Sequence, residues 1–307
     1  MKSIQAVITS SAAAALLCLL CSTPALATPF TFSTGDPDGK MATATRPESA
    51  GKFEIESADD FVLTGSTTII DSATFTGLLT GGATTTDIAA VRVEIYRVFP
   101  NDSDVGRTSG PPTFSTAAVP TRVNSPSDVA FDERNSAPSP GDLTFTATVL
   151  QDSFTADNSV QPGGIHPQPG QTTGGDGAVT GQEVRFDVVF TTPLSLPPDH
   201  YFFVPQVEIT VAGGEFLWLS APRPIVPPGT PFPAGFTDLQ EWTRDANLDP
   251  DWLRVGTDIV GGTPAPTFDA TFSLAGAEVP EPSTLSLLGL ALAGVGLVRL
   301  PRRRARG

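Results

Sequence analysis

The sequence predicts an all-β protein, an antiparallel β-sandwich or jelly-roll-like ectodomain with long loops. Three observations carry that expectation. Apolar and polar residues alternate with period two over many short runs, the signature of strands with one face in and one face out. The 29 glycines and 30 prolines gather between those runs, where turns need them. Helix start signals are nearly absent, and no strand–helix–strand alternation suggests a parallel sheet.

The strand candidates follow in order along the chain. FEIESADDFVLTG carries Phe53, Ile55 and Ser57 on one alternation, with Phe61 and Leu63 resuming it after Asp59 and Asp60. TTIIDSATFTGLL and AAVRVEIYRVF follow in the same style. Further candidates are LTFTATVL (143–150), EVRFDVVF (183–190), HYFFVPQVEITV (200–211), EFLWLS (215–220) and TFDATFSL (267–274). β-branched and aromatic residues fill them, as a pleated, half-buried surface requires. The one helix expected in this region is TDLQEWTRDAN, where Thr237 and Gln240 have the spacing of a capping box. Residues 101–118, 157–182 and 221–236 read as long Gly/Pro/Ser-rich loops. The 19 phenylalanines, against two tyrosines and three tryptophans, point to aromatics used mainly for packing.

Both ends of the 307-residue chain look like targeting segments. Lys2, an apolar stretch over 12–20 and the small-x-small triplet Ala25-Leu26-Ala27 form the layout of a cleavable signal helix, residues 1–27. Both cysteines, Cys18 and Cys21, fall inside it, so the processed chain has no disulfide to form. The body is then residues 28–278, large enough for one domain. It keeps 12 of the 18 basic and 32 of the 33 acidic residues, a net charge near −20. That charge repels phosphate backbones and excludes nucleic acid as a partner. It also makes divalent cations plausible counter-ions.

The last segment, residues 279–307, joins three parts: VPEPS, an apolar run over 283–300 and an arginine cluster. Eighteen residues at 1.5 Å each give about 27 Å of helix, near the thickness of a bilayer core. Arg302, Arg303 and Arg304 would hold its far end on the cytoplasmic side, leaving the body outside. The tail resembles the PEP-CTERM sorting signal of Gram-negative bacteria. That resemblance implies an exosortase-type enzyme that recognises Pro280, Glu281 and Pro282, with the membrane helix as a transient anchor before transfer to the cell surface or extracellular matrix. It further implies a setting of exopolysaccharide and biofilm. Two prolines would keep the motif extended and out of the helix. GKFEIESADDFVL followed by VRVEIY also resembles exported β-sandwich domains found beside such tails, a likeness of fold and not of activity.

The body's candidate chemistry is diffuse. Asp36 and Asp38 (GDPDG) and Asp59 and Asp60 could supply oxygen ligands to a structural Ca²⁺, as could Asp102 with Asp104 and Asp249 with Asp251. None completes a known calcium loop, and Asp in turns has a role of its own. Trp218, Trp242 and Trp252, with Tyr96 and Tyr201, could stack on sugar rings or simply pack. His166 and His200 are the two histidines, with no nucleophile elbow or zinc signature to join. The expectation is therefore a non-enzymatic, exopolysaccharide-associated surface protein with no catalytic residues. A secreted polysaccharide hydrolase using a carboxylate pair and a purely structural surface protein stay open beside it.

Overall fold

Alternating runs of Val, Ile, Phe and Thr form strands along the whole body of the computed structural model, which describes residues 27–104, 119–120, 122–165, 172–222 and 229–279. In chain order the strands are β1 (Thr28–Ser33), β2 (Met41–Ala44), β3 (Ile55–Leu63), β4 (Thr68–Thr80), β5 (Ile88–Arg97), β6 (Asp132–Asn135), β7 (Leu143–Ala156) and β8 (Asn158–Val160). They continue as β9 (Val179–Leu196), β10 (Asp199–Ile209), β11 (Glu215–Ala221), β12 (Trp242–Asp245), β13 (Leu253–Arg254), β14 (Asp269–Ala270) and β15 (Phe272–Glu278). Pro29–Glu278 form one compact unit, apart from the two chain ends.

Two sheets make a β-sandwich. A nine-stranded sheet is built around the long strand β4, which pairs with β9 on one side and with β15 and then β11 on the other. β7 extends it beyond β9, β2 and β8 extend it beyond β11, and β1 lies at the edge beside β15. The second sheet has the order β13-β12-β3-β10-β5-β6. β4 pairs antiparallel with β9, β15 and β11, as do β9 with β7 and β11 with β2, while β2 and β8 run parallel.

Between the sheets, Phe61, Val93, Ile95, Tyr201 and Phe203 of the six-stranded sheet meet Phe75, Phe186, Phe216, Trp218 and Phe272 of the other. Phe75 stacks on Phe186 at 4.7 Å, and Phe203 stacks across the sandwich on Phe272 at 5.0 Å. Offset stacking adds to the burial these rings already supply.

The six-stranded sheet is covered on its other face too. Ala58, Tyr96, Phe202, Val204, Leu239, Trp242 and Trp252 form a second apolar layer there. All nine residues of β3 are consequently buried, which corrects the expectation of one face in and one out. Its outward charge is neutralised locally: Glu56 pairs with Arg244, and the Tyr96 hydroxyl donates to Glu56 at 2.6 Å. The Arg244 guanidinium lies 4.3 Å from the centroid of the Trp252 ring. Arg122, also fully buried, pairs with Asp128 and Asp251.

The helix expected at TDLQEWTRDAN is a correction of a different kind. Residues 242–245 are strand β12, with Trp242 opposite Ala58 and Arg244 opposite Glu56. A cap contributes about 1 kcal/mol; burying an indole against Leu239 and satisfying Glu56 outweighs it. Of the long loops, 157–182 contains β8 and the start of β9, while 101–118 lies largely outside the described residues.

Candidate functional site

On the outer face of the nine-stranded sheet, the strand register lines up polar side chains of β15, β4, β9 and β7 in rows. Ser273 of β15 lies opposite Thr74 of β4, Thr74 opposite Asp187 of β9, and Asp187 opposite Thr146 of β7. Two residues along, Thr76, Arg185 and Thr148 form the next row. The hydroxyls of Thr74 and Ser273 are 2.6 Å apart, and Arg185 bonds Asp187 at 3.1 Å. Arg185 and Asp187 are both nearly half exposed, so water screens their pairing and leaves them available. The segment Gly35–Asp36–Pro37 rises beside these rows and closes a cleft of about 310 Å³. Hydroxyls, the carboxylates of Asp36 and Asp187 and a guanidinium thus face one opening, a set that exchanges hydrogen bonds with a hydroxylated ligand.

Sequence reasoning missed Thr74, Thr76, Arg185, Asp187 and Ser273. The period-two polar positions in SATFT and VRFDV were a visible signal of an outward face. Nothing in the sequence says that β15, β4, β9 and β7 are neighbours.

The residues that were expected to matter go elsewhere. Asp36 is exposed and lines the cleft. Asp38 accepts from the Ser220 hydroxyl at 2.5 Å and pairs with Lys40 at 3.1 Å. Asp59 and Asp60 are neighbours in one strand, so their side chains leave on opposite faces. Asp59 accepts from the Ala270 amide at 2.8 Å inside the sandwich, where burial first, then Asp269 and Asp60, push its carboxyl well above the usual range. Asp60 accepts from the Leu239 amide at 3.1 Å on the other side. Asp38, Asp59 and Asp60 thus make structural contacts; among the described residues no three His, Cys, Asp or Glu side chains gather to hold a metal ion.

The stacking role expected of the tryptophans is also corrected. Trp218, Trp242 and Trp252 are at most 1% exposed, and Tyr96 and Tyr201 are buried with them. Their rings fill the two apolar layers and offer no face to a sugar. His200 Nε2 lies 2.5 Å from Asp60 Oδ2. Burial holds its imidazole down at about 4, although Asp199 and Asp238 pull the other way. His166, Pro280, Glu281, Pro282, Arg302, Arg303 and Arg304 lie outside the described residues. No helix among the described residues is long and apolar enough to cross a membrane, and the apolar run 283–300 is not among them.

A β-rich ectodomain that ends directly before a tripartite tail defines an exported protein addressed to the cell surface. Residues 278–304 match the family model described as the PEP-CTERM protein-sorting motif. The chain is accordingly a PEP-CTERM protein with a β-rich domain, sorted to the surface of a Gram-negative bacterium through processing by an exosortase-type enzyme. No curated protein and no solved structure matches it.

Proposed function

We propose that this protein is a non-enzymatic surface or matrix component that associates with exopolysaccharide through the cleft on the outer face of the nine-stranded sheet. The observation that carries the reading is the in-register array of Ser273, Thr74, Asp187 and Thr146, with Thr76 and Arg185 beside it. A flat, hydrated array of donors and acceptors matches a repeating chain of hydroxyls better than it matches a compact apolar ligand. The net charge near −20 keeps the body soluble among like-charged surfaces.

The test is binding of the processed exported protein to the producing organism's own exopolysaccharide, followed by calorimetry and by release of reducing ends. The expected outcome is saturable binding without release. The double variant Arg185→Ala, Asp187→Ala should weaken it about tenfold or more, since each removes a charged hydrogen-bonding group. Release of reducing ends would instead make the protein a hydrolase. Absence of binding would leave a purely structural surface role.

A further inference from the structure

Asp36, Arg185 and Asp187 are the charged side chains that line the cleft on the nine-stranded sheet, and they are not equally engaged. Arg185 and Asp187 belong to each other: two nitrogens of the guanidinium donate to the same carboxylate oxygen, at 3.2 and 3.1 Å. Their charges cancel where they stand. Asp36 is exposed, and its carboxylate makes no hydrogen bond or ion pair among the described residues. The cleft as a whole therefore carries one uncompensated negative charge.

Asp36 is held at the cleft by the backbone around it. On one side, the Thr34 hydroxyl donates to the Ala270 carbonyl at 2.7 Å, and the Phe272 amide donates to the Thr34 hydroxyl at 2.8 Å. On the other, the Asp38 amide donates to the Ser220 carbonyl at 2.9 Å. Gly35 turns between these anchors at φ 102°, a conformation open to glycine. The strap is thus tied to β15 and β11, which both lie on one side of β4, whereas Arg185 and Asp187 belong to β9 on the other. Neighbouring strands lie about 4.8 Å apart, so β15 and β9 are separated by about 10 Å. A free carboxylate on one side therefore faces a self-neutralised ion pair on the other, with the paired hydroxyls of Thr74 and Ser273 in the same opening.

We propose that the carbohydrate taken by this cleft is an amino-sugar polymer with free amino groups, one ammonium of which donates to Asp36 while adjacent hydroxyls meet Thr74, Ser273 and the Arg185–Asp187 pair. This rests on the reading of the cleft as a carbohydrate site and names the class of carbohydrate. An ammonium brings several donors and the charge that balances Asp36, and bonds between two charged partners are about twice as strong as neutral ones. A uronate chain would set its carboxylates against Asp36 and against a body of net charge near −20. A wholly neutral chain would displace water from Asp36 and leave its charge unbalanced.

The experiment is calorimetric titration of the processed exported protein at physiological ionic strength. The probes are the tetramer of glucosamine, its N-acetylated counterpart, and a galacturonate tetramer with and without added Ca²⁺. The expected result is saturable binding of the glucosamine tetramer, about fivefold tighter than that of the acetylated one, with galacturonate the weakest. Asp36→Asn should remove that preference. Glu48→Gln removes the same charge from an exposed position outside the cleft and should leave the preference intact, which separates the cleft from the general field of an acidic body. Equal binding of the two amino-sugar tetramers would overturn the proposal, as would a preference that survives Asp36→Asn or one that Glu48→Gln also erases. Tighter binding of galacturonate, with or without Ca²⁺, would overturn it too. If no tetramer binds while the native exopolysaccharide does, the amino-sugar assignment falls and the reading above stands; if neither binds, both fall.

Discussion

At the scale of single residues, burial divides the acidic side chains into two populations. Glu56 is buried, and desolvation alone would raise its pKa; Arg244 and the Tyr96 hydroxyl outweigh this and hold it below the usual carboxylate value. Glu241 has no such cation. Burial pushes it up to about 8, Asp269 and Asp38 add to the rise, and Thr43 opposes it. Burial likewise raises Glu94 to about 9, with Glu56 adding to it. A carboxyl whose folded pKa lies above its unfolded value binds its proton more tightly in the folded state. Its contribution to stability is therefore complete below about pH 4.5 and is lost as pH rises toward 8 or 9. Thermal unfolding of the processed protein should accordingly shift to lower temperature between about pH 5 and pH 9. Glu241→Gln should flatten that slope below about pH 8. An unfolding temperature that held level or rose over this range would contradict the protonated state of these groups.

At the scale of elements, one tight constraint lies where β4 meets β11. Trp218 stands opposite Gly77, and a Cβ at Gly77 would come within 2.3 Å of the Phe216 ring and 2.5 Å of the Leu217 carbonyl oxygen. A glycine inside a strand marks such a close approach. Gly77→Val should therefore cost about 1–3 kcal/mol or more through overpacking, read as a lower midpoint in denaturant unfolding. A midpoint equal to that of the native chain would mean that β11 can move away freely. In the sequence, this glycine sits in TFTGLL and does not declare its neighbour. That is the general pattern of what was legible here. Strands β4, β5, β7, β9, β10 and β11 follow from their own period-two runs, since alternation is a local property. The two-sided burial of β3 does not, because the layer that covers its second face comes from Leu239, Trp242 and Trp252, nearly 200 positions away in the chain. β12 was misread for the same reason: its local capping signal was visible and its partner Glu56 was not. The cleft on the nine-stranded sheet is the extreme case, for the hydroxyls of Thr74 and Ser273 that meet in it are 199 residues apart.

At the scale of the whole molecule, the ectodomain and the sorting motif meet almost without a linker. β15 ends at Glu278, and only Val279 separates it from Pro280. Pro280 and Pro282 have no amide hydrogen to continue the ladder with β4, so the strand has a chemical reason to stop where it does. The domain therefore delivers the motif directly at the end of a strand fixed by Phe272 and Leu274 in the core. The entry strand β1 lies beside β15 in the same sheet, so folding of the domain also fixes the strand from which the motif departs. Recognition and folding should then be separable. Pro280→Ala with Glu281→Ala should abolish exosortase-type processing and surface display, seen as retention of the longer, unprocessed chain and loss of accessibility to added protease. The same variant should leave the unfolding midpoint of the ectodomain unchanged, because the last strand, β15, ends at Glu278, before either position. Normal processing would mean that the enzyme reads another part of residues 278–304. A lowered midpoint would mean instead that the motif helps to hold β15 in its sheet, and that sorting acts on a chain whose last strand is still being secured.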